Sequence, residues 1–219
     1  LVQSIRRDSR DHPEFPTIGS HFSLNSTLSG WLLGGQENFH KHTLKLEWFT
    51  PTFWKFVLMN SMKVGVIKEL PSNNESLSYI PYNDRFIMGG NGIPYGNVLR
   101  GYDDNRVGPL TASGNPIGGN TLAKFGVEFR VPFAENPVVY GMLFAEMGNV
   151  WSSTDLMERL SLPRSGPFDL KRSVGVGVRF FMPMIGMLGF DFARGFDRID
   201  SNGKLKPEWK TTLTFGQQF

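Results

Sequence analysis

Two stretches of the chain alternate apolar and polar residues almost without exception. Between residues 120 and 131 the apolar residues occupy one parity, and Glu128 and Arg130 fall on the other. Between residues 173 and 182 valines alternate with Ser173, two glycines and Arg179. Successive side chains of a strand point to opposite faces, so each stretch predicts a β-strand with one apolar and one polar face.

Weaker alternation elsewhere raises the prediction to about nine strands. They are expected near residues 2–7, 22–28, 43–48, 56–66, 120–131, 138–151, 173–182, 185–194 and 208–219. The connections near 50–53, 132–137 and 183–186 are short, and those near 31–38, 70–119, 152–171 and 195–207 are long. Alternating short and long connections predict an all-β fold, a transmembrane antiparallel β-barrel of the outer-membrane type.

A soluble β-sandwich or a lipocalin-like barrel would alternate in the same way. Two features favour the membrane. Charged residues stand in the middle of the polar faces, which suits a wet lumen better than a dry core. Aromatic residues also gather near strand ends, as in the interfacial girdles of membrane barrels. These are Trp48, Phe49, Phe53, Trp54, Trp151, Trp209 and Phe219.

Composition narrows the class further. The 219 residues include 25 Gly and 19 Phe, and the absence of cysteine excludes disulfides and thiolate metal sites. A net charge of +3, with Lys and Arg dispersed along the chain, disfavours a nucleic-acid partner. No apolar run reaches the roughly 18 residues of a membrane helix, whereas a membrane strand needs only about 9–11 residues.

Nine strands cannot complete a barrel of this kind. Bacterial single-chain barrels have even strand numbers, and an open sheet would leave unpaired backbone groups in lipid. We therefore expect further strands on the N-terminal side of Leu1, where the sequence starts without methionine or a recognisable signal peptide. Residues 1–219 are interpreted as one C-terminal portion of a barrel.

The connection over residues 70–119, which we call the long loop, greatly exceeds the roughly 15 residues beyond which structureless loops are uncommon. It is rich in glycine, which permits tight turns and close approach of the backbone. It also contains five aromatic residues that give it a means to pack: Tyr79, Tyr82, Phe86, Tyr95 and Tyr102. We expect a folded external loop that inserts into the lumen.

Within the long loop, Leu99-Arg100-Gly101-Tyr102 resembles the Val/Ile-Arg-Gly-Phe/Tyr signature of the BamA superfamily, the outer-membrane β-barrel assembly insertases. The similarity extends along essentially the whole chain. It includes residues 81–86, Gly89-Gly90, residues 107–109 and residues 15–19. The resemblance implies about the last nine strands of a barrel of roughly sixteen, with the N-terminal strands and POTRA domains absent from this chain.

In that family the loop arginine pairs with acidic residues on two neighbouring wall strands. The matching positions are Glu128 and Glu146, which the alternation independently places on the lumen face. Arginine suits this role because its planar guanidinium binds carboxylates bidentately, which lysine cannot do. Without the resemblance, the residues favour a solvated arginine with two unrelated wall carboxylates. The implied tether comprises Arg100, Gly101, Tyr102, Glu128 and Glu146, with Phe144 and Gly148 in the inner-wall motif.

The C-terminal segment alternates and ends on an aromatic residue. Leu213, Phe215, Gly216 and Phe219 resemble the β-signal by which outer-membrane proteins are recognised for insertion. In the insertase family this strand pairs weakly with the first strand, and the lateral seam between them templates a client strand by β-augmentation.

The resemblance therefore implies a central subunit of the β-barrel assembly machinery in the outer membrane. The implied partners are unfolded outer-membrane protein clients, accessory lipoproteins of the assembly complex, and outer-membrane lipids including lipopolysaccharide. A related transporter that secretes a passenger protein through the lumen would share the loop signature. A lipase-like barrel would need a reactive serine, and a diffusion porin would not explain the signature.

Other candidate chemistry is weak. His40 and His42 share a strand face but lack a third metal ligand. Residues 200–203 suggest a calcium loop, but Arg198 stands where the first acidic ligand should be, so a turn is favoured. No serine, histidine and aspartate set suits hydrolysis. We expect no metal, no cofactor and no enzymatic activity.

Overall fold

The computed structural model describes residues 1–30, 37–71, 80–92, 96–111, 113–153, 157–158, 165–184, 186–199 and 204–215. These residues form nine strands: β1 (Val2–Asp8), β2 (Gly19–Ser29), β3 (Phe39–Pro51), β4 (Val57–Glu69), β5 (Thr121–Glu135), β6 (Val138–Trp151), β7 (Lys171–Met182), β8 (Gly186–Gly195) and β9 (Trp209–Phe215). The predicted all-β class and strand number are confirmed. Among these residues, no helix has both the length and the apolar character needed to cross a membrane.

The strands form one antiparallel sheet in which each strand pairs with its neighbours in sequence. β1 and β9 are the two edges, so the sheet is an open portion of a barrel wall. Connections 9–18, 52–56, 136–137 and 183–185 lie at one end, which we call the short-turn end. The strand ends that connections 30–38, 70–120, 152–170 and 196–208 join lie at the other end of the sheet, the long-loop end.

The two faces of the sheet have opposite characters. The outer face presents apolar side chains to the surroundings, as Val127 and Leu143 do at 43% and 58% exposure. The inner face buries charged side chains: Glu47, Glu128, Arg130, Glu146, Arg179 and Asp191. A wall between lipid and a polar lumen requires this arrangement, the reverse of a soluble fold.

The long loop packs against the inner face near the long-loop end. Its buried Met88 and Leu99 meet strand residues such as Leu122 and Val150 in one apolar cluster. Isolated β-bridges inside the loop, one of them between Gly90 and Leu99, give it a framework of its own. Tyr79 and Tyr95 lie outside the described residues.

Two local expectations were wrong. A turn was expected from residue 132, but pairing of β5 with β6 continues to Glu135. A register shift between Pro132 and Ala134 allows this, because a bulge tolerates the missing amide of proline. Phe49 does not belong to an outer aromatic girdle, since it lies on the inner face at 6% exposure and packs with Val57.

Candidate functional site

The two wall carboxylates are brought together by the pairing of β5 with β6. Glu128 lies opposite Phe144, and Glu146 lies opposite Gly126. Both carboxylates therefore point to the inner face from adjacent strands, offset by two residues. Diagonal neighbours of this kind are about 7–8 Å apart at the backbone, within reach of long side chains that converge on one cation.

The backbone on either side of Arg100 is fixed by its neighbours in the signature. Leu99 is fully buried, and Gly101 has a φ of 85°. A Cβ on Gly101 would stand 2.7 Å from the amide nitrogen of Gly195, so only glycine allows the loop to lie this close to the end of β8.

Tyr102 fixes the other side of the arginine. Its hydroxyl donates to the carbonyl oxygen of Arg172 at 2.7 Å and accepts from the amide of Asp197 at 3.3 Å. Burial raises the pKa of the Tyr102 hydroxyl, so it stays protonated and remains a donor. The signature thus joins the loop to the ends of β7 and β8.

The Arg100 side chain is 5% exposed and contacts both carboxylates through a single nitrogen. Nη2 donates to Glu128 Oε1 at 2.7 Å and to Glu146 Oε1 at 2.8 Å. The second oxygen of Glu146 accepts from the Arg100 amide at 3.0 Å. The guanidinium carbon lies 3.5 Å from the ring centre of Phe144, a cation–π contact. The arginine therefore bridges two carboxylates instead of gripping one bidentately.

A third carboxylate stands near the same guanidinium. Asp191 of β8 approaches Arg100 Nη1 at 3.6 Å, and Arg179 of β7 binds Asp191 bidentately at 2.9 and 2.8 Å. Sequence reasoning did not select this pair. The sequence does contain a pattern that marks this pair, because each charged residue lies opposite a glycine on the neighbouring strand. Asp191 pairs with Gly177, and Arg179 pairs with Gly189.

Those glycines make room for the charges. A Cβ on Gly177 would meet Asp191 Oδ1 at 2.3 Å, and one on Gly189 would meet Arg179 Cζ at 2.7 Å. Gly148 of the predicted inner-wall motif has a similar role, since its Cβ would stand 3.2 Å from Met88 of the long loop. Glycine on the inner face thus sets where charges and the loop can approach the wall.

Two further cations complete the arrangement. Arg130 donates to Glu128 Oε2 from Nε at 2.9 Å and from Nη2 at 2.7 Å. Lys124 contacts Glu146 Oε1 at 2.9 Å. We call the following seven residues the charge cluster: Arg100, Lys124, Glu128, Arg130, Glu146, Arg179 and Asp191. Its four cations and three carboxylates give 4 − 3 = +1.

The long loop also contacts the last strand. Asp103 pairs with Lys210 of β9 and with Arg198, whose Nε lies 2.9 Å from Oδ2. Asn91 Nδ2 donates to the carbonyl oxygen of Leu213 at 3.0 Å. Burial alone would raise the pKa of Asp103, but hydrogen bonds from Lys210 and Arg198 outweigh it and lower the pKa below its usual value. We call the contacts of Asp103 with Lys210 and of Asn91 with Leu213 the β9 contacts.

The remaining predicted residues fall in several places. Leu213 lies on the outer face opposite Phe190, and Phe215 pairs with Leu188. Gly216 and Phe219 lie outside the described residues, as do residues 200–203. His40 and His42 lie side by side with ring centres 5.1 Å apart.

The Omp85 superfamily domain model matches residues 1–219. The outer membrane protein assembly factor BamA of Nitratidesulfovibrio vulgaris is 26% identical over 204 residues, which cover 91% of this chain and 24% of that protein. A SAM50-like protein of Schizosaccharomyces pombe is 29% identical over 144 residues, 60% of this chain and 26% of that protein. The chain thus spans about a quarter of the length of these curated relatives.

One solved structure resembles the fold closely. The crystal structure of BamA from Haemophilus ducreyi lacking POTRA domains 1–3 matches with a TM-score of 0.75. The match covers 97% of this chain and 42% of that one at 16% sequence identity. At this identity the match concerns the fold, and it agrees with an open portion of a larger barrel wall.

Proposed function

The chain belongs to the Omp85 superfamily, and on this premise we propose that it is the C-terminal part of the barrel of an insertase, which folds β-barrel proteins into the outer membrane. Proteins of this superfamily are integral outer-membrane β-barrels, and so is the protein that contains this wall. The BamA relative is named as an assembly factor for outer-membrane proteins. In the proposed orientation the short-turn end faces the periplasm and the long-loop end faces outward.

The observation that carries the proposal is the bridge made by Arg100. It fixes the long loop to β5 and β6 through two buried carboxylates, and Asp191 of β8 lies close to the same guanidinium. Removing one partner of a buried ion pair costs about 3–5 kcal/mol, so loss of Arg100 should weaken the attachment of the loop to the wall. We propose that the tether stiffens the wall on one side of the barrel.

We propose that the seam lies along the side of β9 that does not pair with β8. β9 pairs with β8 over Trp209–Phe215 and, like β1, is an edge of the sheet that this portion of the wall contains. Such an edge is a template for an added strand. The β9 contacts join this strand to the loop that Arg100 fixes. A stiff wall beside the last strand suits a machine that opens at one place.

The proposed partners follow from this role. Unfolded outer-membrane proteins would pair with the edge of β9, and accessory lipoproteins and periplasmic POTRA domains would deliver them at the short-turn end. Outer-membrane lipids, lipopolysaccharide among them, would contact the apolar outer face. The work is strand pairing in a membrane, which needs no cofactor.

A reconstituted folding assay tests the proposal. The complete protein in proteoliposomes should accelerate the folding of an unfolded β-barrel client, read from its heat-modifiable electrophoretic mobility. Arg100→Ala should lower that rate, whereas replacement of Arg6, an arginine of β1 outside the charge cluster, by alanine should not.

Three results would contradict the proposal or a part of it. If the client folded no faster in proteoliposomes than in empty liposomes, the insertase role would be refuted. Transfer of a passenger protein into the vesicle interior without insertion would instead favour the secretion alternative. Unchanged client folding by a correctly folded Arg100→Ala variant would remove the tether from the mechanism.

A further inference from the structure

Two arginines lie side by side on the outer face at the long-loop end. Arg172 of β7 pairs with Met147, and Arg194 of β8 pairs with Val174, two residues further along β7. The two are diagonal neighbours, so their side chains leave the same face of the sheet about 7–8 Å apart at the backbone. An arginine on the lipid face is unfavourable at the membrane midplane and is tolerated only near the interface.

The charge of this pair is only partly compensated. Asp197 accepts from Arg172 Nε at 3.3 Å and from Nη2 at 3.0 Å, yet the Arg172 side chain remains 64% exposed. Arg194 forms no ion pair with any described residue, and its buried Nε has no hydrogen-bond partner there. The two arginines and one carboxylate leave a net charge of 2 − 1 = +1.

An apolar groove of about 490 Å³ begins beside Arg172 and runs along the outer wall over β5 to β7. It exists because Ala145 is small where its neighbours in the same row, Val127 and Val174, are larger. Apolar side chains line the groove: Phe125, Val127, Ala145, Met147, Val174 and Phe196. Trp209, the cross-strand partner of Arg194, adds an aromatic residue of the kind that sits at membrane interfaces.

We propose that this surface is a binding site for one phosphorylated lipid of the outer leaflet. The phosphate would lie between Arg172 and Arg194, where guanidinium groups bind phosphate oxygens well. One acyl chain would lie in the groove over Ala145. The site rests on the proposed orientation in the outer membrane, but it does not depend on insertase activity.

Native mass spectrometry of the complete protein in detergent tests the site. The protein is titrated with dioleoyl phosphatidic acid or with dioleoyl phosphatidylcholine, which share acyl chains and differ in headgroup. Retention of the phosphatidic acid should exceed that of phosphatidylcholine about fivefold, the factor expected of one uncompensated arginine at a membrane surface. An excess of inorganic phosphate should displace little of it, because the acyl chain contributes to binding.

Three variants locate the site. Arg172→Gln with Arg194→Gln should abolish the preference for phosphatidic acid, whereas Arg172→Lys with Arg194→Lys should keep most of it. Ala145→Phe, which fills the groove without changing charge, should lower retention of both lipids. Lys55→Gln, at an exposed position of the short-turn end, is the matched control for charge and should change nothing.

Equal retention of the two lipids by the unmodified protein would contradict the proposed lipid site. An undiminished preference for phosphatidic acid in the double glutamine variant would contradict it as well. Client folding is measured on the same samples. Loss of lipid preference with normal client folding supports the site independently of the insertase role. Normal lipid preference in a protein without folding activity would overturn the proposed function and leave the site standing.

Discussion

Replacement of Glu146 by glutamine is expected to destabilise the protein more than replacement of Arg100 by alanine. The charge cluster has a net charge of +1, from four cations and three carboxylates. Arg100→Ala lowers it to 0 and leaves Glu128 paired with Arg130 and Glu146 paired with Lys124. Glu146→Gln raises it to +2, leaves Lys124 facing a neutral amide, and leaves Arg100 hydrogen-bonded to Glu128 alone among the carboxylates of the cluster.

The loss of unfolding free energy in each variant depends on the charged partners that remain. Removal of one member of a buried pair costs about 3–5 kcal/mol. We expect Arg100→Ala near the lower bound, about 3 kcal/mol, because each carboxylate keeps a cation. We expect Glu146→Gln near the upper bound, about 5 kcal/mol, because Lys124 loses its carboxylate partner and the buried Arg100 is left with Glu128 as its hydrogen-bonded carboxylate. The double variant returns the cluster to +1, so its cost should be well below the sum of the two.

Equilibrium urea unfolding of the complete protein in detergent micelles measures these free energies, with Arg6→Ala as the control. Three outcomes would refute the electrostatic reasoning: an Arg100→Ala variant less stable than Glu146→Gln, a strictly additive double variant, or no loss of stability in either single variant.

Three further predictions concern other parts of the chain. Gly101→Ala should release the signature from the end of β8, because a Cβ would stand 2.7 Å from Gly195 N, and proteolysis of the long loop should become faster. Lys210→Gln should speed hydrogen exchange of β9 while that of β5 stays unchanged, since it removes a partner of Asp103 but leaves the Arg100 bridge. Burial would raise the pKa of Asp11, but hydrogen bonds from Thr17 and Ile18 lower it to about 2. The stabilisation of turn 9–18 should thus be complete above pH about 4 and lost as pH falls towards 2; unchanged amide shifts of the turn over that range would contradict this.

The strands and their faces could be predicted because side-chain alternation is a local property of the sequence. Glu128 and Glu146 were placed on the inner face by counting alone, and the register of β5 with β6 agrees. The path of the long loop could not be obtained in this way, because contacts such as Asn91 with Leu213 join residues far apart in the chain. The position of Arg100 beside both carboxylates was expected only through the family resemblance.

The errors and omissions have physical causes. Phe49 and Trp48 are adjacent and equally aromatic, so proximity to a strand end did not reveal that one faces the lumen and the other the lipid. The pair of Arg179 and Asp191 was missed because its signal lies in the glycines opposite, to which side-chain alternation assigns no role. A glycine that faces a charge across a strand pair is better interpreted as space for that charge.

The long loop is held by two sets of ion pairs that differ in their access to water. Arg100 and Glu146 are 5% and 4% exposed at their side chains, whereas Lys210 and Asp103 are 31% and 35% exposed. Dissolved salt screens the exposed pair far more strongly than the buried one, since the Debye length falls from about 10 Å at 0.1 M to about 3 Å at 1 M. Raising the ionic strength should therefore loosen the loop from β9 while leaving it fixed to β5 and β6. A change of buffer alone would then distinguish the two attachments without any substitution.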